Sequence, residues 1–353
     1  MWSDRRADAA RAQLTALATA QLGVEEVQAS AMAIVRRVVP FDAACWATVD
    51  PDTLLFTGSM TVEFEPGPAL EQRFIALEAV GEDPNPFRDL ARGPRPVARL
   101  SDAGPAALEA SSRFQEIWRP LGVRHEIRAA FTVANRCWGV GGMLRSSDSR
   151  DFNEPEMAFL ASATPEIAAA IRGALLRRSS AGAPEDQGPA VLILGADGET
   201  LSATPAAQEL LDGRWQLGTR TGRFALQSLA AAVRQGAGSA RVRLHDPHHG
   251  WLVLQASRLS GEGDAPQIAI TLTPAASRDL TDLLLEAHGL SAREREVTRA
   301  VLAGCSTTDM ARTLCISANT VQDHLKAIFD KMGVRSRRDL AAYINGSQAR
   351  ATP

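Results

Sequence analysis

Between Ser291 and Asp339 the chain repeats one short-range signal four times. Ser291-x-x-Glu294, Ser306-x-x-Asp309 and Ser336-x-x-Asp339 each pair a serine with an acid three positions on, and Ser317 opens a fourth segment. A serine at a helix N-cap accepts a bond from a free backbone N–H, and an acid three residues later returns one. Each cap precedes apolar residues at helical spacing. These are Val297, Ala300 and Val301; then Met310, Ala311 and Leu314; then Val321, Leu325, Ile328, Phe329 and Met332; finally Leu340, Ala341 and Ile344. Gly304 and Gly333 supply two of the stops. One capping box arises easily by chance, but three in series with a fourth serine cap among them, each with its own stripe, agree on one answer. Residues 288–347 are therefore expected to form a compact all-α domain of four short helices.

The third helix of this set has an unusual outer face. Asn319, Thr320, Gln322, Asp323 and Lys326 are short or flexible donors and acceptors, and a DNA major groove admits one α-helix carrying such side chains to base edges and phosphates. Charge agrees. The net charge of −3 conceals an asymmetry: from His288 onward ten basic residues face six acidic ones, so this tail is +4 and the rest −7. Lys326 and Lys331 are the only lysines in the chain. No residue before 326 can serve as a Walker lysine, a Schiff-base lysine or the lysine of a phosphorylated receiver domain.

Leu290-Ser-x-Arg-Glu-Arg-Glu-Val297, Ala303-Gly304-x-Ser306, Ala311-x-x-Leu314-x-Ile316-Ser317-x-x-Thr320-Val321-x-x-His324 and Ile328-x-x-Lys331-Met332-Gly333-Val334, with Ser336-Arg337, resemble the LuxR-type helix-turn-helix. The resemblance implies a recognition helix near 318–332, a scaffold helix at 307–314 and dimerisation through the fourth helix. It implies a DNA-contacting set of Ser317, Asn319, Thr320, Gln322, Asp323, Lys326, Arg337 and Arg338. Gln322 and Lys326 make the main contacts in this reading, while Arg337 and Arg338 meet the backbone. Two positions depart from the pattern. Gln322 stands where the family commonly has lysine, and Thr307-Thr308 replace basic or amide residues. A lost lysine removes a phosphate contact, whereas a Gln amide matches the adenine edge. His324, beside the apolar stripe, reads as a packing residue.

Upstream, the pattern is α+β. Residues 8–38 carry one or two helices ending at Pro40. Strands 44–49 and 53–57 follow around the turn Asp50-Pro51-Asp52, then a helix over 69–79, a Pro-punctuated loop, a helix near 113–118 and strands at 126–134 and 137–144. A helix over 154–178 has Met157, Leu160, Thr164, Ile167, Ile171 and Ala174 in heptad-like steps, which suits either a helix covering its own sheet or a parallel dimer helix. Residues 179–189 read as a linker, 190–275 as a smaller α+β domain with a helix near 226–234, and 276–287 as a second linker. Asp42 to Asp50, Asp83-Pro84-Asn85-Pro86-Phe87, Arg119-Pro120-Leu121-Gly122, Glu126-Ile127-Arg128 and Cys137-Trp138-Gly139 give residues 8–178 a resemblance to GAF-like sensor domains. Val191 to Gly198 with Ser202 to Ala207 resembles the opening of a PAS domain. The expected architecture is multidomain: two α+β sensor-type domains, GAF-like and PAS-like, ahead of the all-α four-helix LuxR-type domain.

Other chemistry finds little support. Cys45, Cys137, Cys305 and Cys315 are scattered without metal-ligand spacing, which suits a reducing cytosol, and no signal-peptide core or membrane span is evident. His245, His248 and His249 with Asp246 read as a solvated hairpin turn. Gly139-x-Gly141-Gly142 lacks the following helix of a dinucleotide fingerprint and reads as strand packed on a helix. Cys45, Trp46, Trp118, His125 and Trp138 fit either core packing or the wall of a sensor pocket. No catalytic set is present, so neither enzyme activity nor a cofactor is expected. The sequence thus points to a cytoplasmic, homodimeric one-component transcription regulator with double-stranded DNA as partner and the effector, if any, left open. Two alternatives stand beside it: a ligand-binding or interaction protein whose C-terminal bundle contacts proteins, and a response-regulator-like chain without a working receiver.

Overall fold

The computed structural model describes residues 4–176, 189–212, 216–246, 250–259 and 266–345. The opening Ala/Leu pattern forms α1 (Asp4–Leu17) and α2 (Val24–Arg36). The expected hairpin follows as β1 (Ala43–Val49) and β2 (Phe56–Val62). Next come α3 (Pro68–Val80), α4 (Phe87–Arg92), β3 (Val97–Arg99) and α5 (Pro105–Ala110). A π-helical turn at Phe114–Trp118 leads to β4 (Val123–Val133), β5 (Arg136–Ser146) and α6 (Glu154–Leu175). The five strands form one antiparallel sheet in the order β2-β1-β5-β4-β3.

The sheet's two faces are covered differently. On one, α6 buries Leu160, Thr164, Ile167, Ile171 and Ala174 and packs against β4, β5, α1 and α2. Of the two readings of this stripe, the helix covering its own sheet holds; the dimer-helix reading is corrected, because these side chains are consumed within the chain. The glycines of β5 make the approach possible: a Cβ on Gly139 would lie 3.0 Å from Ile171 Cδ1, and one on Gly141 2.7 Å from the Trp46 ring. Over the opposite face, a buried charge cluster ties loop to sheet. Arg113 Nε donates to Glu126 at 3.2 Å, Arg128 Nη2 to Glu78 at 2.6 Å, and Arg113 Nη2 to the Pro84 carbonyl at 2.7 Å. Arg128 also sits 3.6 Å over the Phe87 ring.

The second sheet is built from β6 (Ala190–Leu194), β7 (Thr200–Ala203), β8 (Ser239–Asp246), β9 (Gly250–Arg258) and β10 (Ile268–Pro274), with α7 (Pro205–Leu211) and α8 (Arg220–Arg234) between β7 and β8. Its order, β7-β6-β10-β9-β8, repeats that of the first sheet when each is counted from its own first strand. Helix α8 starts six residues before the segment that its apolar pattern suggests. It has work on two sides: Ala225, Leu226, Leu229, Ala230 and Val233 enter the second core, while Phe224 and Ala231 enter the first. The two sheets consequently form one compact unit. Cross-ties reinforce it. The Phe56 amide donates to Ser228 Oγ at 3.0 Å, and Arg243 binds Asp50 at 2.7 Å and Asp52 at 2.5 Å.

His245 is a correction. The strand β8 runs on through His245 and Asp246, both buried, and His245 packs edge-on against Trp251 at 4.9 Å. A turn residue would be solvated; a strand residue facing Trp251 is not. His248 and His249 lie outside the described residues, as does the expected linker 179–189 apart from Pro189.

The C-terminal unit comprises α9 (Ser277–Ala287), α10 (Ala292–Leu302), α11 (Thr307–Thr313), α12 (Ala318–Met332) and α13 (Arg337–Asn345). The span 276–287, read as linker, is thus helix, and Leu285 enters the unit's core beside Leu290, Val297, Met310, Val321, Leu325, Ile328, Leu340 and Ile344. All four serine caps form: the Oγ atoms of Ser291, Ser306, Ser317 and Ser336 accept from the amides of Glu294, Asp309, Thr320 and Asp339 at 3.3, 3.1, 3.0 and 3.0 Å. Among the described residues no helix is long and apolar enough to cross a membrane.

Candidate nucleic-acid interface

Helices α11 and α12 are joined by Leu314, Cys315, Ile316 and Ser317. Cys315 holds φ +53°, the left-handed conformation that turns the chain sharply between the helices. Ile316 then packs back on the core, and Ser317 caps α12. Val321, Leu325, Ile328 and Met332 face the core, which rotates Asn319, Gln322, Asp323 and Lys326 outward; all four are exposed. Spacings of three and four place them along one face. Ser317 and Thr320 contribute less freely, since their hydroxyls bond each other at 2.8 Å within the cap.

The two lysines divide. Lys326 has no ionic partner among the described residues and is exposed. Lys331 instead reaches Glu294 on α10 at 2.7 Å and the Gly289 carbonyl at 3.2 Å. Burial works to raise the Glu294 carboxyl, but Lys331 and the Ser291 cap hold it below the usual carboxylate range. Arg337 also has partners within the domain. Its guanidinium donates to Thr307 Oγ1 at 2.7 Å and to the Cys305 carbonyl at 3.4 Å, locking α13 to the start of α11. Arg338 and Arg335 stay exposed. The ties missed from sequence are structural: the Lys331–Glu294 pair and the bonds of Arg337 to the start of α11. A signal for Lys331 existed, since it adjoins the stripe positions Ile328 and Met332 and so borders the buried face. His324 is half-buried beside that stripe.

Of the suggested pocket residues in the first sheet, Cys45 and Trp118 line two small cavities. Trp46 packs on Phe131 with ring centroids 4.5 Å apart and lines neither; Trp138 is buried and also lines neither. His125 lies at the sheet margin, 3.4 Å from Asp151. Burial pushes the Cys45 thiol up to about 12, so it stays protonated at neutral pH and is no nucleophile.

A family model described as bacterial regulatory proteins, luxR family, matches residues 288–344. Residues 288–344 form a LuxR-family helix-turn-helix domain. The chain is 32% identical over 174 residues to a protein of Mycobacterium bovis bearing the name of an HTH-type transcriptional regulator, a match that covers 45% of this chain and 20% of that protein. It is 36% identical over 61 residues to the CsgBAC operon transcriptional regulatory protein of Escherichia coli, covering 17% of this chain and 28% of that one. The chain thus spans about a fifth of the length of the first curated relatives it matches. Among solved structures it is similar to Escherichia coli SdiA, with a TM-score of 0.34 and 14% identity over 96% of this chain and 98% of that one. The GAF domain/HD domain protein from Geobacter sulfurreducens also has a TM-score of 0.34, with 14% identity over 45% of this chain and 98% of that one. In this chain the LuxR-family domain turns Asn319, Gln322, Asp323 and Lys326 away from its own core and fixes α12 through the Ser317 cap and the Lys331–Glu294 tie.

Proposed function

We propose that the chain is a sequence-specific transcription regulator in which the LuxR-family domain binds double-stranded DNA as a dimer, and in which the two-sheet unit tunes that binding by taking up a ligand or partner. The observation that carries it is the face of α12. Asn319, Gln322 and Asp323 are hydrogen-bonding groups able to read base edges, and Lys326 is a cation for phosphate, on a helix whose other face is wholly committed to the core. Arg335 and Arg338 add positive charge nearby in sequence, without ionic partners among the described residues. A module with so few free cations binds weakly alone, so pairing two of them supplies the missing affinity. On this reading, α13 forms the dimer contact, with Asp339 and Ala342 exposed on its outer side.

Selection from a random duplex library followed by mobility-shift titration tests the reading. Enrichment of a two-fold symmetric site with half-sites one helical turn apart is expected. Failure to enrich any sequence, with no shift at low salt, contradicts it.

A further inference from the structure

The first sheet's outer face is lined by an aromatic box whose last wall comes from the other sheet's helix. Phe224 of α8 lies with its ring centroid 5.2 Å from that of Phe56, which itself sits 6.3 Å from Phe74 and 6.4 Å from Phe87. Trp118 closes the box, 6.2 Å from Phe74. What remains beside Phe224 is a cavity of about 20 Å³ and another of about 10 Å³, each room for little more than one water. Yet the surroundings are not those of a finished core. Trp118 lines both cavities, is buried, and its indole N–H has no acceptor among the described residues. A buried N–H of this kind is costly unless something accepts from it.

We infer that this box is a binding site for a small neutral aromatic molecule bearing a hydrogen-bond acceptor, and that Phe224 is its built-in occupant, so that ligand entry and docking of α8 compete. The ring of such a ligand takes the place of the Phe224 ring, and its polar group accepts from the Trp118 N–H. Charge selects against an anion: Glu71 and Glu126 line the two cavities, and the cations beside them, Arg220 and Arg113, are already engaged with those same carboxylates. Ligand binding must then loosen the ties between the first sheet with its helices and the second, among them the bond from the Phe56 amide to Ser228 on α8 and that from Gln72 on α3 to the Asp197 carbonyl in the turn between β6 and β7. The inference rests on the reading of the two-sheet unit as ligand-responsive and gives that reading a ligand class and a moving part.

The test uses the full chain with phenol as probe and benzoate as its charged counterpart, by calorimetry and hydrogen exchange. If docking competes, apparent affinity rises with the undocked fraction. Ser228→Ala removes one buried inter-sheet bond without lining either cavity, and phenol should bind it about fivefold to tenfold more tightly than the wild type. Gln72→Ala, at a half-buried position of α3 that lines neither cavity, should shift affinity in the same direction. Trp118→Phe should weaken phenol severalfold, and phenol should speed exchange of the Phe56 amide. Equal phenol affinity in wild type, Ser228→Ala and Gln72→Ala overturns the competition, and benzoate binding as tightly as phenol overturns the ligand class. Absence of phenol binding to Phe224→Ala and to both docking variants overturns the site. DNA affinity of the same preparations without phenol answers separately for the regulator.

Discussion

Two lysines five positions apart on one helix have opposite roles, and single substitutions separate them. Lys326 is free and outward, so Lys326→Ala should weaken binding to every duplex alike and reduce the slope of log affinity against log salt by about one. Gln322→Ala should instead relax base preference, because an amide reads a base edge rather than a phosphate. Lys331→Ala should leave that slope in place and cost about 1 kcal/mol in chemical denaturation, a figure discounted for a partly exposed pair. Equal slopes for Lys326→Ala and wild type would refute the assignment. Arg337 shows what charge alone leaves out: from sequence it is a cation following a helix cap, and only the fold brings Cys305 and Thr307 within its reach.

At the level of elements, the C-terminal helices were the most legible part of the chain, because their signals are local. Caps, stripes and stops all lie within one or two turns of the residues they govern, and every serine cap formed as read. The turn inside the helix-turn-helix was not legible in the same way. Cys315 adopts a left-handed conformation without the glycine that would announce it. Replacing Cys315 by Val should cost more than about 1 kcal/mol, since a β-branched residue resists positive φ, while Cys315→Gly should cost little. Removing the cap with Ser317→Ala should destabilise the domain by about 1 kcal/mol and lower DNA affinity with it, because the cap fixes the end of α12 that carries Asn319. Denaturation midpoints measured side by side decide both. Helix α9 was missed as a linker because its apolar residues point to a core that only tertiary structure assembles.

Across the molecule, what sequence reading lacked was the joining of the two sheets. Nothing local in α8 says that Phe224 and Ala231 belong to one core and Leu229 to another. Nor does Asp50, read as a turn residue, announce its buried pairing with Arg243. Burial opposes that carboxylate's charge, but the hydrogen bonds and charge of Arg243 hold it below the usual range. His245 titrates in the opposite sense to a salt-bridged histidine: burial lowers it to about 4, with Asp246 pulling weakly upward. The unfolded chain, with its histidine near 6.5, therefore binds the proton first. Stability of the two-sheet unit should be full above pH 6.5 and fall by about 3 kcal/mol between there and pH 4, with Asp50 adding to the loss at still lower pH. His245→Phe should flatten the upper part of that fall in thermal melts; an unchanged profile would contradict the burial argument. The central claim, DNA binding through the outward face of α12, is tested most directly by mobility-shift titration of the full chain over a salt series. With Lys326, Arg335 and Arg338 as the free cations among the described residues of each module, log affinity should fall against log salt with a slope of about −3 per module and about −5 for a dimer. A slope of zero, or one unchanged by Lys326→Ala, would contradict it.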